Sequence, residues 1–314
     1  MSNCRIIFVC PPPTNTTGGT KMTYRHVEAL AAHGFDVYVQ PYKDNSGPAW
    51  FDQTAPSLPS GTYHPRLDDI IVLPEDVRLL FERFQKVPIR KVLLCQNQYY
   101  AALGIGAYRT LADAGINVAI ATSGTILRFL RERFPETTAG LIPYPIDDTL
   151  FQPHQKRLQV CYMPRKRPIE AAYVIDRLRA LHPDLTNIPF VEISGLHEHR
   201  VAQIMGESAV FLSFAHLEGL GLTPLEAMAS GCIVVGFTGI GGREYATSVN
   251  GFWTENEDCC QCVDDLARVL RLVAAGDPIL ASTVEAGHRT AAAFGREPFL
   301  AALLEFWRTL TDHH

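Results

Sequence analysis

The stretch that decides the fold is residues 209–231, AVFLSFAHLEGLGLTPLEAMASG. It begins with the short, aromatic-rich apolar run Ala209–Phe214, which is typical of a buried central strand in a parallel sheet. The glycine-bearing segment 218–222 follows, and Thr223-Pro224-Leu225-Glu226 then opens a predicted helix. A helix start at the carboxyl end of a parallel strand favours anionic ligands, because free N–H groups and the helix dipole converge there.

The same helix start also has a purely structural interpretation. Thr223 is a good N-cap, Pro224 suits the first helical position, and Glu226 lies where a capping box places its carboxylate. On this interpretation Glu226 and its partner contribute roughly 0.5–2 kcal/mol to helix stability. Glu218 would then be only an exposed loop acid, although the sequence shows no structural role for it. The residue pattern alone leaves both interpretations open.

The whole string resembles the E-x7-E signature of retaining glycosyltransferases of family 4, often written EGFGLPxLEAMAxGxPVV. It stands here as EGLGLTPLEAMASGCIVV. The resemblance implies an α/β protein of the GT-B fold, in which two Rossmann-like domains face each other across a cleft. It also implies that Glu218 lies against the donor sugar and that Glu226 accepts hydrogen bonds from the nucleotide ribose.

Length and composition are compatible with this family. The chain has 314 residues, 47% of them apolar and 19% charged, which is enough for two globular domains of about 150 residues each. A net charge of −5 argues against a general nucleic-acid binder. No apolar run is long enough to span a bilayer and no signal peptide is recognised, so a cytoplasmic protein is expected.

The eight cysteines are expected to be reduced and structural. Four of them lie in or beside predicted strands, where a free thiol behaves as a small hydrophobe. The cluster Cys259-Cys260-Gln261-Cys262 lacks a second ligand pair at zinc spacing and begins an amphipathic helix. No Asp-x-Asp motif follows a strand, so neither a metal nor another cofactor is expected.

The first half of the chain begins with a predicted strand, Arg5–Cys10, a loop over Pro11–Thr17 and the pair Gly18-Gly19 before a helix. The glycine pair lacks the dinucleotide fingerprint and the P-loop lysine spacing. The family resemblance instead implies that it lets phosphate or acceptor groups approach this helix. Further strands are predicted at 35–40, 68–75, 89–95 and 118–122, and helices at about 100–116 and from the N-cap Ser123 to about 134.

Two prolines in Ile142-Pro143-Tyr144-Pro145-Ile146-Asp147 indicate a domain boundary, and the segment resembles the interdomain hinge of the family. The predicted domains are residues 1–145 on the acceptor side and 146–296 on the nucleotide-sugar side. Residues 297–314 form a terminal helix whose apolar stripe permits packing on the N-terminal domain.

The second half begins with a predicted strand, Leu158–Met163, and the basic segment Pro164-Arg165-Lys166-Arg167-Pro168. Cations before a helix start oppose the helix dipole, which indicates an anion nearby; a solvated basic turn is the alternative. The family resemblance implies that Arg165 and Lys166 contact the donor diphosphate, with Arg167 as the alternative to Lys166. Strands are predicted at 190–194 and 232–237, and helices at about 169–182, 197–207, 258–275, 277–293 and 298–310.

The predicted catalytic residues are Glu218, Arg165 and Lys166, because without a metal the charge that develops on the diphosphate needs cations and helix-start amides. The predicted donor-binding residues are Gly18, Gly19, Gly219, Leu220, Gly221, Leu222, Glu226, Gly241 and Gly242. The predicted acceptor or sugar contacts are Gln96, Asn97 and His216. Amides both donate to and accept from sugar hydroxyls, although they are equally typical of turns, and His216 can also be a residue packed at a strand end.

The family resemblance favours a metal-independent, retaining hexosyltransferase that forms no covalent enzyme intermediate. A nucleotide-sugar epimerase and a non-catalytic sugar-nucleotide-binding protein are the alternatives from other classes. The expected partners are a nucleotide-sugar donor and a glycan, lipid-linked or small-molecule acceptor, with no nucleic acid. The sequence leaves open whether the protein contacts a membrane peripherally, although no strongly basic amphipathic helix supports such contact. It also leaves the oligomeric state open.

Overall fold

Two separate parallel sheets organise the chain. The computed structural model describes residues 4–11, 16–42, 47–255 and 258–312. The first unit comprises Met1–Tyr144 and Glu297–His314, and the second comprises Pro145–Arg296. Part of the predicted loop Pro11–Thr17 lies outside the described residues.

The sheet of the first unit has six parallel strands in the order β2-β1-β3-β4-β5-β6. They are β1 Ile6–Cys10, β2 Val37–Pro41, β3 Ile70–Pro74, β4 Arg90–Cys95, β5 Val118–Ala121 and β6 Thr138–Leu141. The helices of this part of the chain are α1 Gly18–Ala32, α2 Arg78–Phe84 and α3 Gly124–Arg133. Alternate strand residues face opposite sides: Ile7 packs in one buried cluster and Phe8 in the other. Both faces of the sheet are therefore covered, as is usual for parallel sheets.

The helix caps follow from the sequence. Thr17 caps α1, since its Oγ1 accepts the Thr20 amide at 3.3 Å, and Gly34 ends the helix at φ +83°. The predicted N-cap Ser123 is confirmed, because its Oγ accepts the Ile126 amide at 3.2 Å. Each cap satisfies an N–H group that has no partner within its helix.

The helix predicted over residues 100–116 is wrong. The structure has three short 3-10 turns there, Tyr100–Leu103, Ile105–Ala107 and Ala112–Ala114. A Cβ on Gly104 would lie 2.3 Å from the Glu75 carbonyl oxygen, and the Ile105 amide donates to that same oxygen at 2.9 Å. Close packing against the end of β3 therefore overrides the helical pattern. Helix α2 and the half-exposed edge strand β6 are additional elements that the sequence did not predict.

The sheet of the second unit has five parallel strands in the order β11-β10-β9-β7-β8. They are β7 Arg157–Tyr162, β8 Phe190–Glu192, β9 Ser208–Ala215, β10 Ile233–Thr238 and β11 Phe252–Thr254. The helices are α4 Pro168–Leu181, α5 Glu198–Glu207, α6 Leu222–Ala229, α7 Cys259–Ala275 and α8 Ile279–Ala292. The prediction that residues 209–214 form a buried central strand is confirmed, because β9 lies between β10 and β7 and only its last residue is partly exposed.

The last helix, α9 Arg296–Asp312, belongs to the first unit from Glu297 onward. Its buried residues Phe299, Leu303 and Trp307 join the core cluster on the α1 side of that sheet, and the Trp307 ring lies 5.8 Å from the Phe8 ring. All eight cysteines lie in the described ranges, and none of them forms a disulfide. Across the described residues, no helix combines the length and apolar character needed to cross a bilayer.

Candidate functional site

Three loops of the second unit meet at the carboxyl edge of its sheet. Strand β9 pairs in parallel with β7 on one side and β10 on the other. The segments that follow these strands are the basic loop 164–167, the loop 216–221 and the turn 239–245. Because neighbouring parallel strands end at the same edge, the loops converge where ligands bind in open α/β sheets.

Helix α6 begins earlier than the sequence predicts. Its N-cap is Gly221, which adopts the left-handed conformation at φ +86°, and Leu222 is the first helical residue. The predicted N-cap role of Thr223 is therefore wrong, and Pro224 occupies the third helical position instead of the first. The capping box of Glu226 is also wrong, because a capping box places its acid at that third position. Glycine tolerates the left-handed region without a Cβ penalty, so the chain turns into the helix there.

Two glycines of the turn 239–245, Gly239 and Gly241, are required by close backbone approach. A Cβ on Gly241 would lie 2.7 Å from the carbonyl carbon of Gly219 and 2.8 Å from the Glu218 carbonyl oxygen. A Cβ on Gly242 would lie 3.4 Å from the hydroxyl oxygen of Tyr245. The predicted glycines 241 and 242 therefore lie directly against the loop that holds Glu218.

Tyr245 locks the two loops together and was not predicted from the sequence. Its buried hydroxyl donates to the Gly221 carbonyl oxygen at 2.6 Å, at the residue that caps α6. Burial, with the nearby negative charges of Glu218, Glu226 and Glu244, raises the pKa of Tyr245 well above its ordinary value. The phenol therefore stays protonated and keeps donating. A tyrosine after a glycine-rich turn is too common a pattern to have identified this role.

The basic loop brings Lys166 to Glu218. Lys166 Nζ lies 2.6 Å from Glu218 Oε1, and the two side chains are 21% and 28% exposed. Glu218 thus has an ion-pair partner that the sequence did not reveal. An ion pair of this exposure contributes only about 0–1 kcal/mol to stability, so a bound ligand can separate it at little cost.

The three consecutive cations of the basic loop have different surroundings. Arg165 is exposed, whereas Arg167 is buried and precedes the first residue of α4. Arg167 Nη1 lies 2.9 Å from Glu170 Oε1, and Nη2 lies 2.6 Å from His216 Nδ1. The Arg167 guanidinium carbon also lies 5.2 Å from the centre of the Phe237 ring. His216 is therefore joined to the basic loop through Arg167.

The site residues predicted in the first unit form a second group. Gly18 and Gly19 open α1, and a Cβ on Gly19 would lie 3.1 Å from Gln96 Oε1. The Gln96 amide donates to Thr23 Oγ1 at 3.5 Å, and the Tyr144 hydroxyl donates to Gln96 Oε1. Gln96 thus packs directly on the glycine start of α1.

Asn97 is buried and shapes the turn after β4. Its backbone amide donates to Glu75 Oε1 at 2.7 Å, and its side-chain Oδ1 accepts the Tyr99 amide at 3.0 Å. Glu75 is buried, and desolvation together with the charge of Asp76 raises the pKa of its carboxyl to about 8. Sequence analysis missed Glu75, although a carboxylate directly after a buried strand was a usable signal.

The structure therefore divides the predicted residues into two groups. The second unit brings together Arg165, Lys166, His216, Glu218, Gly219, Leu220, Gly221, Leu222, Glu226, Gly241 and Gly242 in its converging loops and the start of α6. The first unit brings together Gly18, Gly19 and Gln96, with Asn97 in the adjoining turn. Among the described residues, no three His, Cys, Asp or Glu side chains form a group that could hold a metal ion.

The chain is similar to known proteins in both sequence and fold. Residues 166–273 match the family model described as glycosyl transferases group 1. The sucrose-phosphate synthase of Thermosynechococcus elongatus superposes with a TM-score of 0.72 at 16% identity, covering 99% of this chain and 100% of that one. Anabaena HepE in complex with UDP superposes with a TM-score of 0.67 at 14% identity, covering 98% of this chain and 100% of that one.

The fold is that of the GT-B glycosyltransferases. The prediction of two parallel-sheet α/β domains is thereby confirmed. In sequence, the chain is similar to an alpha-1,6-glucosyltransferase of Actinobacillus pleuropneumoniae serotype 7 (strain AP76). The identity is 27% over 278 residues, which are 82% of this chain and 83% of the relative.

Proposed function

We propose that this protein is a retaining glycosyltransferase that transfers a hexose from a nucleotide sugar to an acceptor hydroxyl without a metal ion. Glycosyltransferase activity is supported by the family match, by the curated relative and by the structural neighbours. The family model and the relative carry the names of transferases, which favours transfer over epimerisation or binding alone.

The observation that carries the proposal is the Lys166–Glu218 pair beside the glycine backbone at the start of α6. A nucleotide sugar presents a diphosphate next to hexose hydroxyls. The Lys166 ammonium group can pair with the diphosphate, and the Glu218 carboxylate, 2.6 Å away, can accept hydrogen bonds from the hexose hydroxyls. Both side chains are partly exposed, so a ligand can separate the pair and bind each partner on its own.

The leaving diphosphate would be stabilised by fixed positive charge. Lys166 and the exposed Arg165 supply cations, and the N–H groups of Leu222 and Thr223 lie in the first turn of α6, where no intrahelical acceptor exists. Donors that are held in place before reaction stabilise developing charge without reorganisation. Glu218 would bind the hexose and Glu226 the ribose hydroxyls, and the glycine loops would allow the donor to approach the backbone.

We propose a UDP-hexose as the donor. HepE was solved with UDP and with UDP and glucose, and the curated relative is named a glucosyltransferase. Gly18 and Gly19 would face donor groups, while Gln96 and Asn97 would contact the acceptor, whose class is a glycan, a lipid-linked sugar or a small molecule. Retention would proceed on one face of the sugar, without a covalent enzyme intermediate.

The experiment begins with the melting temperature of the protein in the presence of UDP-, GDP-, dTDP- and ADP-sugars. A ligand that binds only the native state stabilises it by RT ln(1 + [L]/Kd), so the melting temperature rises with the ratio of ligand concentration to Kd. UDP release is then measured with and without acceptor, and in EDTA. We expect stabilisation by a UDP-hexose, release that depends on acceptor and is unaffected by EDTA, and a product that keeps the anomeric configuration in its proton NMR spectrum. Conversion of the donor without acceptor would indicate an epimerase, and no stabilisation by any nucleotide sugar would refute the proposal.

A further inference from the structure

Both terminal nitrogens of the buried Arg167 guanidinium contact protein groups. Its side chain is 6% exposed, its Nη1 pairs with Glu170 at 2.9 Å, and its guanidinium lies over the Phe237 ring. Its Nη2 contacts His216 Nδ1 at 2.6 Å. A cation that is already neutralised, stacked and hydrogen-bonded has little left to offer a phosphate. Lys166 and Arg165, which are more exposed, are better placed for that task.

The contact with Arg167 determines which nitrogen of His216 carries the hydrogen. A guanidinium has five N–H donors, no acceptor and no accessible deprotonated form. His216 Nδ1 must therefore accept, and the hydrogen of the neutral ring must be on Nε2. Within the described ranges, Nε2 makes no hydrogen bond, and the ring is partly exposed. One N–H donor of His216 is thus left available to a ligand.

The backbone of His216 is fixed as firmly as its ring. Its carbonyl oxygen accepts the Glu218 amide at 3.0 Å and the Ile240 amide at 3.2 Å. A Cβ on Gly239 would lie 2.6 Å from the same oxygen, so only glycine permits this approach. His216 and Glu218 are therefore held two residues apart on one loop. Their side chains contact adjacent residues of the basic loop, Glu218 through Lys166 and His216 through Arg167.

We infer that Arg167 is a positioning residue and not a phosphate ligand: it holds His216 so that Nε2–H donates to a hydroxyl oxygen of the donor hexose bound at Glu218. This inference rests on the proposed function. Glu218, as a carboxylate, can only accept hydrogen bonds, and His216 in this tautomer can only donate through Nε2. Together the two side chains recognise a pair of hexose hydroxyls, one as donor and one as acceptor.

The tautomer is tested directly by a long-range proton–nitrogen correlation spectrum of the ¹⁵N-histidine-labelled protein. The His216 signals are identified by their loss in His216→Asn. We expect a pyridine-type shift for Nδ1 and a pyrrole-type shift for Nε2, and loss of this fixed state in Arg167→Lys, because lysine lacks the planar fork that reaches both Glu170 and His216. Averaged shifts in the unchanged protein, or an Nδ1–H form, would overturn the inference without any reference to activity.

The role in sugar recognition is tested by comparing affinity for UDP with affinity for the UDP-hexose. Asparagine keeps an acceptor near the place of Nδ1 but has no donor at the distance of Nε2, so His216→Asn leaves Arg167 with a partner. We expect His216→Asn and Arg167→Lys each to weaken binding of the UDP-hexose about three- to tenfold, as for one lost hydrogen bond, and to leave UDP affinity within about twofold. Their effects should be less than additive in the double variant, because both remove one interaction.

Arg268→Lys is the matched control. Arg268 Nη2 pairs with Asp265 at 2.7 Å and its guanidinium lies 5.0 Å from the Phe252 ring, so it makes the same two kinds of contact as Arg167, but as an exposed side chain of α7. This variant should change neither affinity. If Arg167→Lys weakens UDP as much as the UDP-hexose, Arg167 is a phosphate ligand and the inference is wrong. If the unchanged protein binds no nucleotide sugar, it is the proposed function that fails.

Discussion

Replacing Glu218 with glutamine removes one charge of the Lys166–Glu218 pair and keeps the shape of the side chain. The pair is 2.6 Å long and its side chains are 21% and 28% exposed. Pairs with this degree of solvent contact contribute about 0–1 kcal/mol. We therefore expect the free energy of unfolding of Glu218→Gln to fall by no more than about 1 kcal/mol.

The expected effect on transfer is much larger. A hydrogen bond between a carboxylate and a sugar hydroxyl contributes about 1.5–3 kcal/mol, which corresponds to roughly 10- to 150-fold in kcat/KM. Glu218→Ala should abolish transfer while the fold stays intact. The two variants separate catalysis from stability, because the ion pair is a weak contributor to folding and the carboxylate is proposed to touch the hexose.

The affinity for UDP alone should not fall in Glu218→Gln, although the rate of transfer does. In the unliganded protein Lys166 must leave Glu218 before it can bind phosphate. Without that carboxylate no ion pair has to be broken when UDP binds. Glu218→Gln should therefore bind UDP as tightly as the unchanged protein or up to about fivefold more tightly.

The assays are UDP release with acceptor, urea unfolding, and UDP titration by calorimetry. Asp184→Asn is the matched control, because it breaks the surface pair with Arg271, whose side chains are 49% and 54% exposed. That control should leave both transfer and UDP affinity unchanged. Near-normal turnover in Glu218→Gln would refute the role of the carboxylate, and weaker UDP binding would refute the view that the ion pair competes with phosphate.

Three further predictions concern residues around the two groups. Tyr245→Phe should lower the free energy of unfolding by about 0.5–1.5 kcal/mol and raise KM for the donor, because it removes the hydrogen bond to Gly221; urea unfolding and initial rates measure both. Gly241→Ala should abolish UDP binding in calorimetry, because its Cβ would lie 2.7 Å from backbone, whereas Gly276→Ala, which meets no atom within 4 Å, should leave it unchanged. Because burial raises the pKa of Glu75 from 4.5 to about 8, the folded state binds the proton more tightly than the unfolded state, so stability should fall as pH rises through that interval. Glu75→Gln should flatten this dependence in urea unfolding; an equally steep profile would exclude Glu75 as its source.

Local patterns predicted those elements whose signals are contained in a few neighbouring residues. Ser123 was predicted as an N-cap because its side-chain oxygen and the amide that it satisfies are three positions apart. The apolar run of β9 is buried on both faces because it lies in the middle of a parallel sheet. The short 3-10 turns at 100–114 escaped prediction because Gly104 packs on a strand end far away in the sequence.

The sequence by itself determined the alternation of strands and helices, the glycine loops and the two glutamates, since each is encoded by contiguous residues. Only the tertiary structure decided which cation meets Glu218. Lys166 and Arg167 are adjacent and both positively charged, yet one pairs with Glu218 and the other is buried against Glu170 and His216. That choice depends on the parallel pairing of β7 with β9, which brings their following loops to one edge of the sheet. The sequence spacing does not predict this choice, because Lys166 and Glu218 follow different strands and meet only when the sheet has formed.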